Sequence, residues 1–220
     1  MTWFFVSVAV FMAGHIVPGL LRGAITARIG HTAYIITFSV TSLFLLGWVI
    51  YEVRHADFIA LWPYEIWQNH VTLTFMLPAC ILWAAAIIQP CPLSIGRKKG
   101  FDPARQGINR LTRHPLLLGM MLWGLGHIVP NGDLVAFMFF GGATVFAVAG
   151  FWRMEKIRAR HMNVAEYKAI LDGTRRFDVA GLAKGALGWR DIGLGILLYV
   201  VLLWAHPYVI GVDPSAVIGG

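Results

Sequence analysis

The sequence predicts an all-α, polytopic integral membrane bundle of about six transmembrane helices, with both termini on the non-cytoplasmic side. Composition is the first reason. Of 220 residues, 58% are hydrophobic and only 13% charged, where a soluble domain carries about 25% charged residues. The second reason is spacing. Six apolar runs occupy roughly 2–21, 32–53, 71–90, 114–130, 134–152 and 192–212, and a spanning helix needs about 20 apolar residues. The third is charge. The stretches 22–31, 91–113 and 153–191, which alternating spans place on one side, hold 17 of the 18 Lys and Arg residues, leaving Arg54 opposite. The positive-inside bias assigns those three stretches to the cytoplasm.

Taken in order, the first run, TWFFVSVAVFMAGHIVPGLL, lacks a basic n-region and an A-x-A site, so it is expected to be a retained span and not a signal peptide. The second and sixth runs are long and strongly apolar. The third carries Pro78 and the fourth is short; neighbouring helices can resatisfy the backbone of both. Trp3, Trp62, Trp67, Trp189 and Tyr208 fall near predicted span ends, as an interfacial aromatic belt does. In 153–191, Ile157, Met162, Tyr167 and Ile170 suggest a weakly amphipathic helix with a basic face, suited to an anionic leaflet or to plain solvation. Asp133 is expected to cap the turn of PNGD, and Asn131, Asp133 and Glu52 are candidates for an outer vestibule. No internal repeat is visible, and the whole chain, 1–220, reads as one transmembrane domain.

Several classes of function drop out. Cys80 and Cys91 form no CxxC or CxxCH, which excludes a disulfide framework and covalent c-type haem. There is no phosphate-cradling glycine motif, HExxH or G-x-S-x-G. The net charge of +7 follows membrane side and not a nucleic-acid module, so no nucleic acid is expected.

Histidines carry the chemistry. His31, His55, His70 and His161 fall in loops or at span ends, whereas His15, His114, His127 and His206 lie within or at the edge of spans. Ligating residues inside spans are costly and tend to be functional. Non-covalent haem b needs a neutral imidazole on its iron and room for a flat macrocycle. His127 has Gly124 one turn before it, with Trp123 and Gly126 adjacent; His15 has Gly19 four residues later, with Gly14 and Pro18 close by. Each small residue opens a notch on a shared helix face. The alternative is a histidine hydrogen-bonded across the bundle, with the glycines serving helix packing. His114 and His127 are thirteen residues apart on one helix, roughly 20 Å, and cannot clasp one iron. An axial partner for His127 must lie at similar depth. His15 meets that only if the first helix runs from about 6 to 27, and His206 is the rival on topology.

The run INRLTRHPLLLGMMLWGLGHIVPNGD resembles the central signature of the NnrU family, whose plant and cyanobacterial relatives are 15-cis-zeta-carotene isomerases. GHIVPG at 14–19, WAHP at 204–207 and AEYKAILDGTRRFDV are similar to the family's flanking features, so the resemblance covers nearly the whole chain. It implies a haem b (iron) held by His15 and His127, with Gly19, Arg110, Arg113, His114, Trp123, Gly124 and His206 around the cofactor. It also implies haem-dependent cis–trans isomerisation of a hydrophobic polyene taken from the bilayer, in a multi-pass protein of the bacterial inner membrane. One departure is Gly124, where plant isomerases carry a cysteine proposed as an alternative ligand. The NnrU branch itself is linked to nitrite and nitric-oxide reduction, so a non-enzymatic haem module or assembly factor is the second expectation. A third comes from RHPLLLG at 113–119, which is similar to the R-H-P-x-x-x-G of isoprenylcysteine and phospholipid methyltransferases. There Arg113, His114 and Glu155 would line an S-adenosylmethionine pocket, although this chain has a single Glu at 155, no Pro after Phe177 and a further span after the tail.

Overall fold

The computed structural model of the chain describes residues 1–215. Those residues are helical or irregular apart from one isolated antiparallel bridge, Ala60 to Asp133. The helices are α1 (Thr2–Leu20), α2 (Arg22–Ile29), α3 (His31–His55), α4 (Trp67–Ile88), α5 (Pro115–Ile128), α6 (Leu134–His161), α7 (Val164–Asp172), α8 (Ala180–Ala183) and α9 (Trp189–Val209). All six predicted apolar runs are helices. Five of them, α1, α3, α4, α6 and α9, are long and apolar enough to cross a membrane. With 14 residues, α5 spans only about 21 Å against a hydrocarbon core of about 30 Å.

The chain forms two compact units. One comprises Met1–Leu61 with Asp133–Phe139, the other Trp62–Gly132 with the chain from Phe140 onward. In the first unit α1 packs on α3. Its core is Phe4, Val49 and Val135, flanked by Phe11, Val53 and Met138. The Tyr34 hydroxyl donates to the Pro18 carbonyl at 3.2 Å, tying α3 to α1 near the break at Leu21 where α2 starts. Asp133, expected to cap the PNGD turn, caps the start of α6, its Oδ1 accepting from the Ala136 amide at 2.9 Å.

In the second unit α4 packs along both α5 and α9. Glycines permit the close approach. A Cβ at Gly119 would meet Trp83 Nε1 at 2.6 Å, and one at Gly195 would meet Ile81 Cα at 2.5 Å. In lipid, where apolar side chains gain little by hiding from acyl chains, such small-residue contacts are a principal source of helix association. Leu82, Ala85, Cys91, Ile108, Leu111, Leu118 and Ala186 form the core at the basic end of this unit. Cys80 and Cys91 are buried free thiols, and burial pushes the Cys91 thiol up to about 12, so it stays protonated and inert.

The stretch 153–191 differs from the amphipathic helix expected of it. Helix α6 continues to His161, the chain turns at Met162, and Asn163 opens α7 by accepting from the Ala165 amide at 2.8 Å. Ile170 is buried and Ile157, Met162 and Tyr167 are half-buried, so the apolar face packs largely on protein. The exposed large apolar residues of the stretch are instead Val164, Phe177, Val179, Leu182 and Trp189.

Candidate functional site

The two ends of α5 carry two different constellations. At its start, Pro115 occupies the first helical position and His114 the cap, as proline's fixed φ and missing N–H favour. The preceding segment, which opens with a 3-10 turn at Gly107–Arg110, is laced to the 174–178 segment. The Arg113 amide donates to the Arg175 carbonyl at 2.7 Å, Arg175 N to Asn109 O at 2.9 Å, and Asp178 N to Leu111 O at 2.8 Å. Thr112 Oγ1 adds a bond to the Arg176 carbonyl at 2.9 Å. This lacing brings four charged or polar side chains together. Glu155, on α6, accepts from Arg176 Nη2 at 2.6 Å, from Arg113 Nη1 at 3.4 Å and lies 3.4 Å from His114 Nε2. Arg113 Nη2 also donates to the Thr174 carbonyl at 3.0 Å.

Burial decides how these groups ionise. His114 is fully buried, and desolvation lowers its pKa to about 4 despite the carboxylate beside it. The imidazole is neutral at physiological pH, and Nε2 is the nitrogen that donates to Glu155. Desolvation also pulls Arg113 below the usual arginine range, while its bond to Glu155 raises Arg176. Arg113, His114 and Glu155 therefore converge, as the methyltransferase comparison expected, but they converge on one another. Glu155 is engaged from three sides, Oε1 by Arg113 and His114 and Oε2 by Arg176. Arg110 is engaged too, donating to the Lys184 carbonyl.

The far end of α5 is built differently. Its last carbonyls, which have no intrahelical partner, are taken by side chains: Thr72 Oγ1 to Gly126 at 2.7 Å, Asn131 Nδ2 to His127 at 2.7 Å, and Trp62 Nε1 to Val129 at 2.9 Å. These bonds hold His127 in place. Asn131 is thus a backbone anchor, and Glu52 accepts from Trp48 one turn back at 2.9 Å, so neither is directed to a vestibule. His127 Nδ1 donates to the Trp123 carbonyl at 2.8 Å, and its ring stacks on Phe140, centroids 5.0 Å apart. A carbonyl only accepts, so the proton is on Nδ1 and the lone pair on Nε2. Among the described residues no hydrogen bond occupies that Nε2. His127 and His206 line one cavity of about 50 Å³ with Leu73, Met76 and Tyr199.

His15 and His206 hold the same tautomer, through the Phe11 carbonyl at 2.8 Å and the Val212 carbonyl at 2.7 Å. So do the exposed His55 and His161. The tautomer fits a metal ligand but does not select one. The glycine notches are only partly open. A Cβ on Gly124 would lie 2.9 Å from the Phe140 carbonyl, one on Gly126 2.9 Å from Phe75, and one on Gly14 2.6 Å from Leu45, whereas Gly19 has open space. Gly124 and Gly126 thus serve helix packing and not a macrocycle.

Of the nine residues expected around one cofactor, the seven in the second unit fall in two places. Arg110, Arg113 and His114 lie at one end of α5; Trp123, Gly124, His127 and His206 lie at the other, roughly 20 Å along the helix. His15 and Gly19 lie in the first unit. Tested against a haem b, the donor chemistry at His127 fits, while the cavity between His127 and His206 is too small for a porphyrin, since ligand pockets run to about 300 Å³ or more. Sequence reasoning missed Arg176 as the strongest partner of Glu155, Thr174 as the acceptor for Arg113, and a buried Gln89–Asp191 pair. The run TRRFDV offered a signal for the first two; nothing local marks the third.

Comparison with known proteins agrees with the motifs. The 15-cis-zeta-carotene isomerase, chloroplastic, of Arabidopsis thaliana is 25% identical over 191 residues, which cover 81% of this chain and 49% of that protein. The chain thus spans about half the length of this curated relative. No solved structure matches. The family model described as NnrU protein matches residues 3–214, and on that near-complete match the chain belongs to the NnrU family.

Proposed function

We propose that this chain is a haem-b-binding membrane protein that isomerises a cis double bond in a polyene dissolved in the bilayer. The observation that carries the proposal is His127: a half-buried imidazole, fixed in one tautomer, with Nε2 unbonded in apolar surroundings. The likeness to a protein named as an isomerase supplies the reaction class. His127 is the first axial ligand, and His206, which lines the same cavity, is the candidate for the second. The basic end of the bundle faces the cytoplasm of a bacterial inner membrane.

A reduced haem held through His127 Nε2, in a cavity that must widen from about 50 Å³ to admit the ring, would supply electron density that lowers the bond order of the polyene and so its rotational barrier. The chain's own residues hold and exclude. The Trp123 carbonyl directs the lone pair of His127, Phe140 braces the ring, and Leu73 and Met76 keep water out. Cis–trans rotation moves no proton, so no acid or base is required of the residues around His127. Arg113, His114 and Glu155 act as structure, not as a cofactor pocket.

The test uses purified protein in vesicles loaded with 15-cis-zeta-carotene. Conversion to the all-trans central bond, followed by chromatography with absorption detection, is expected with dithionite-reduced, haem-loaded protein and not with oxidised protein. Failure of reduced protein to convert, with haem demonstrably bound, would leave the non-enzymatic NnrU role as the better account.

A further inference from the structure

A second cavity lies at the basic end of the second unit, far from His127. It has a volume of about 420 Å³ and lies between the end of α4 and the start of α9, lined by Ile88, Gln89, Ala186, Trp189, Arg190 and Asp191. Asp191 is the unusual member. It is 3% exposed, its Oδ2 accepts from the Gly188 amide at 2.7 Å and from Gln89 Nε2, and its buried Oδ1 has no partner. Among the described residues no lysine, arginine or histidine pairs with it. A buried carboxylate is costly unless paired and fully hydrogen-bonded. Capping α9 explains Oδ2, and the α9 dipole offsets part of the charge; Oδ1 is left without a partner.

The surroundings specify what would answer it. Gln89 is locked by its Oε1 accepting from the Ile108 amide at 2.6 Å, so it presents Asp191 rigidly. Arg190, exposed and 5.3 Å over the Trp189 ring, supplies a cation at the mouth. Ile88 and Trp189 end and begin two apolar helices, so the mouth lies at the depth where headgroups meet acyl chains. We infer that this cavity binds the headgroup of an amine-bearing phospholipid, the primary ammonium at Asp191 and the phosphate at Arg190. The inference stands apart from the haem proposal.

The experiment is native mass spectrometry of the whole detergent-solubilised protein titrated with lipids of identical acyl chains. Phosphatidylethanolamine is expected to bind about tenfold more tightly than phosphatidylcholine, the scale of one hydrogen bond to a charged group. Affinity should fall stepwise through the mono- and dimethylated headgroups as N–H donors are removed. Asp191→Asn, which keeps an oxygen to cap α9, should abolish the preference. Arg190→Gln should weaken all phosphate lipids alike. Free ethanolamine should fail to compete at equal concentration; effective competition would make the ligand a soluble amine and overturn the lipid assignment. Equal binding of the methylation series to unmodified protein would overturn the site itself, whether or not the Asp191 variant folds.

Discussion

His114 and His127 stand at opposite ends of the same short helix and teach opposite lessons. His114 is buried completely and held in an ionic network of Glu155, Arg113 and Arg176. His127 is half-buried, bonded once to its own helix, and left with an unbonded nitrogen beside a small apolar cavity. Both are neutral imidazoles in spans or at span edges, and sequence alone ranks them together. What separates them is what surrounds them. Each keeps one nitrogen without a partner, Nδ1 of the fully buried His114 and Nε2 of His127; the other nitrogen of His114 meets a carboxylate, whereas the unbonded nitrogen of His127 lies beside a small apolar cavity.

The largest effect that would break this contrast is at Glu155. Glu155→Ala leaves the buried Arg113 charge unmatched, and removing one partner of a buried pair costs about 3–5 kcal/mol. Arg176 is half-exposed, so solvent screens its share. The thermal midpoint in detergent should fall sharply; an unchanged midpoint would mean the network holds nothing together.

Next comes pH. The folded protein keeps His114 neutral down to about pH 4, while the unfolded chain protonates it near 6.5. The unfolded state therefore binds more protons between those values, and stability is full above about pH 6.5 and declines as pH falls toward 4. Integrated over that window the loss approaches about 3 kcal/mol. His114→Gln should flatten the decline in thermal midpoint measured from pH 7 to 4, and an equally steep decline in the variant would assign it to other groups.

Gly124→Cys comes third. The added side chain must fit against the Phe140 carbonyl and Thr144 of α6, and overpacking of this kind costs about 1–3 kcal/mol. A stable Gly124→Cys protein showing a thiolate-type haem spectrum would contradict the packing role given to that glycine. The smallest effect is at Arg110. Arg110→Gln removes one exposed bond to the Lys184 carbonyl, worth about 1 kcal/mol or less, and should leave any haem spectrum unchanged.

The helices were legible in the sequence because lipid imposes a length and an apolarity that composition reports directly. All six runs formed helices, although α6 continues past its predicted end at 152 to His161. The exposed His31, His55, His70 and His161 were read correctly for the same reason, since polar positions between spans meet solvent. What stayed hidden depends on partners far apart in the chain. Nothing in INRLTR announces that the 109–113 backbone pairs with residues 174–178, and that pairing delivers Arg176 to Glu155. The glycines near His127 were visible, yet their use was not: a glycine beside a histidine reads alike whether it admits a ring or a neighbouring helix, and Thr144 and Phe75 decide for the helix. Nothing in GWRDIG announces that the carboxylate of Asp191 is buried.

The contrast between the two ends of α5 is tested most directly by absorption spectra of detergent-purified protein from haem-replete cells. The unaltered protein should show a Soret band with sharp alpha and beta bands on dithionite reduction. His127→Ala should lose most of the haem, and His114→Ala should keep it in a less stable protein. A colourless unaltered protein, or a His127→Ala spectrum indistinguishable from it, would contradict the account.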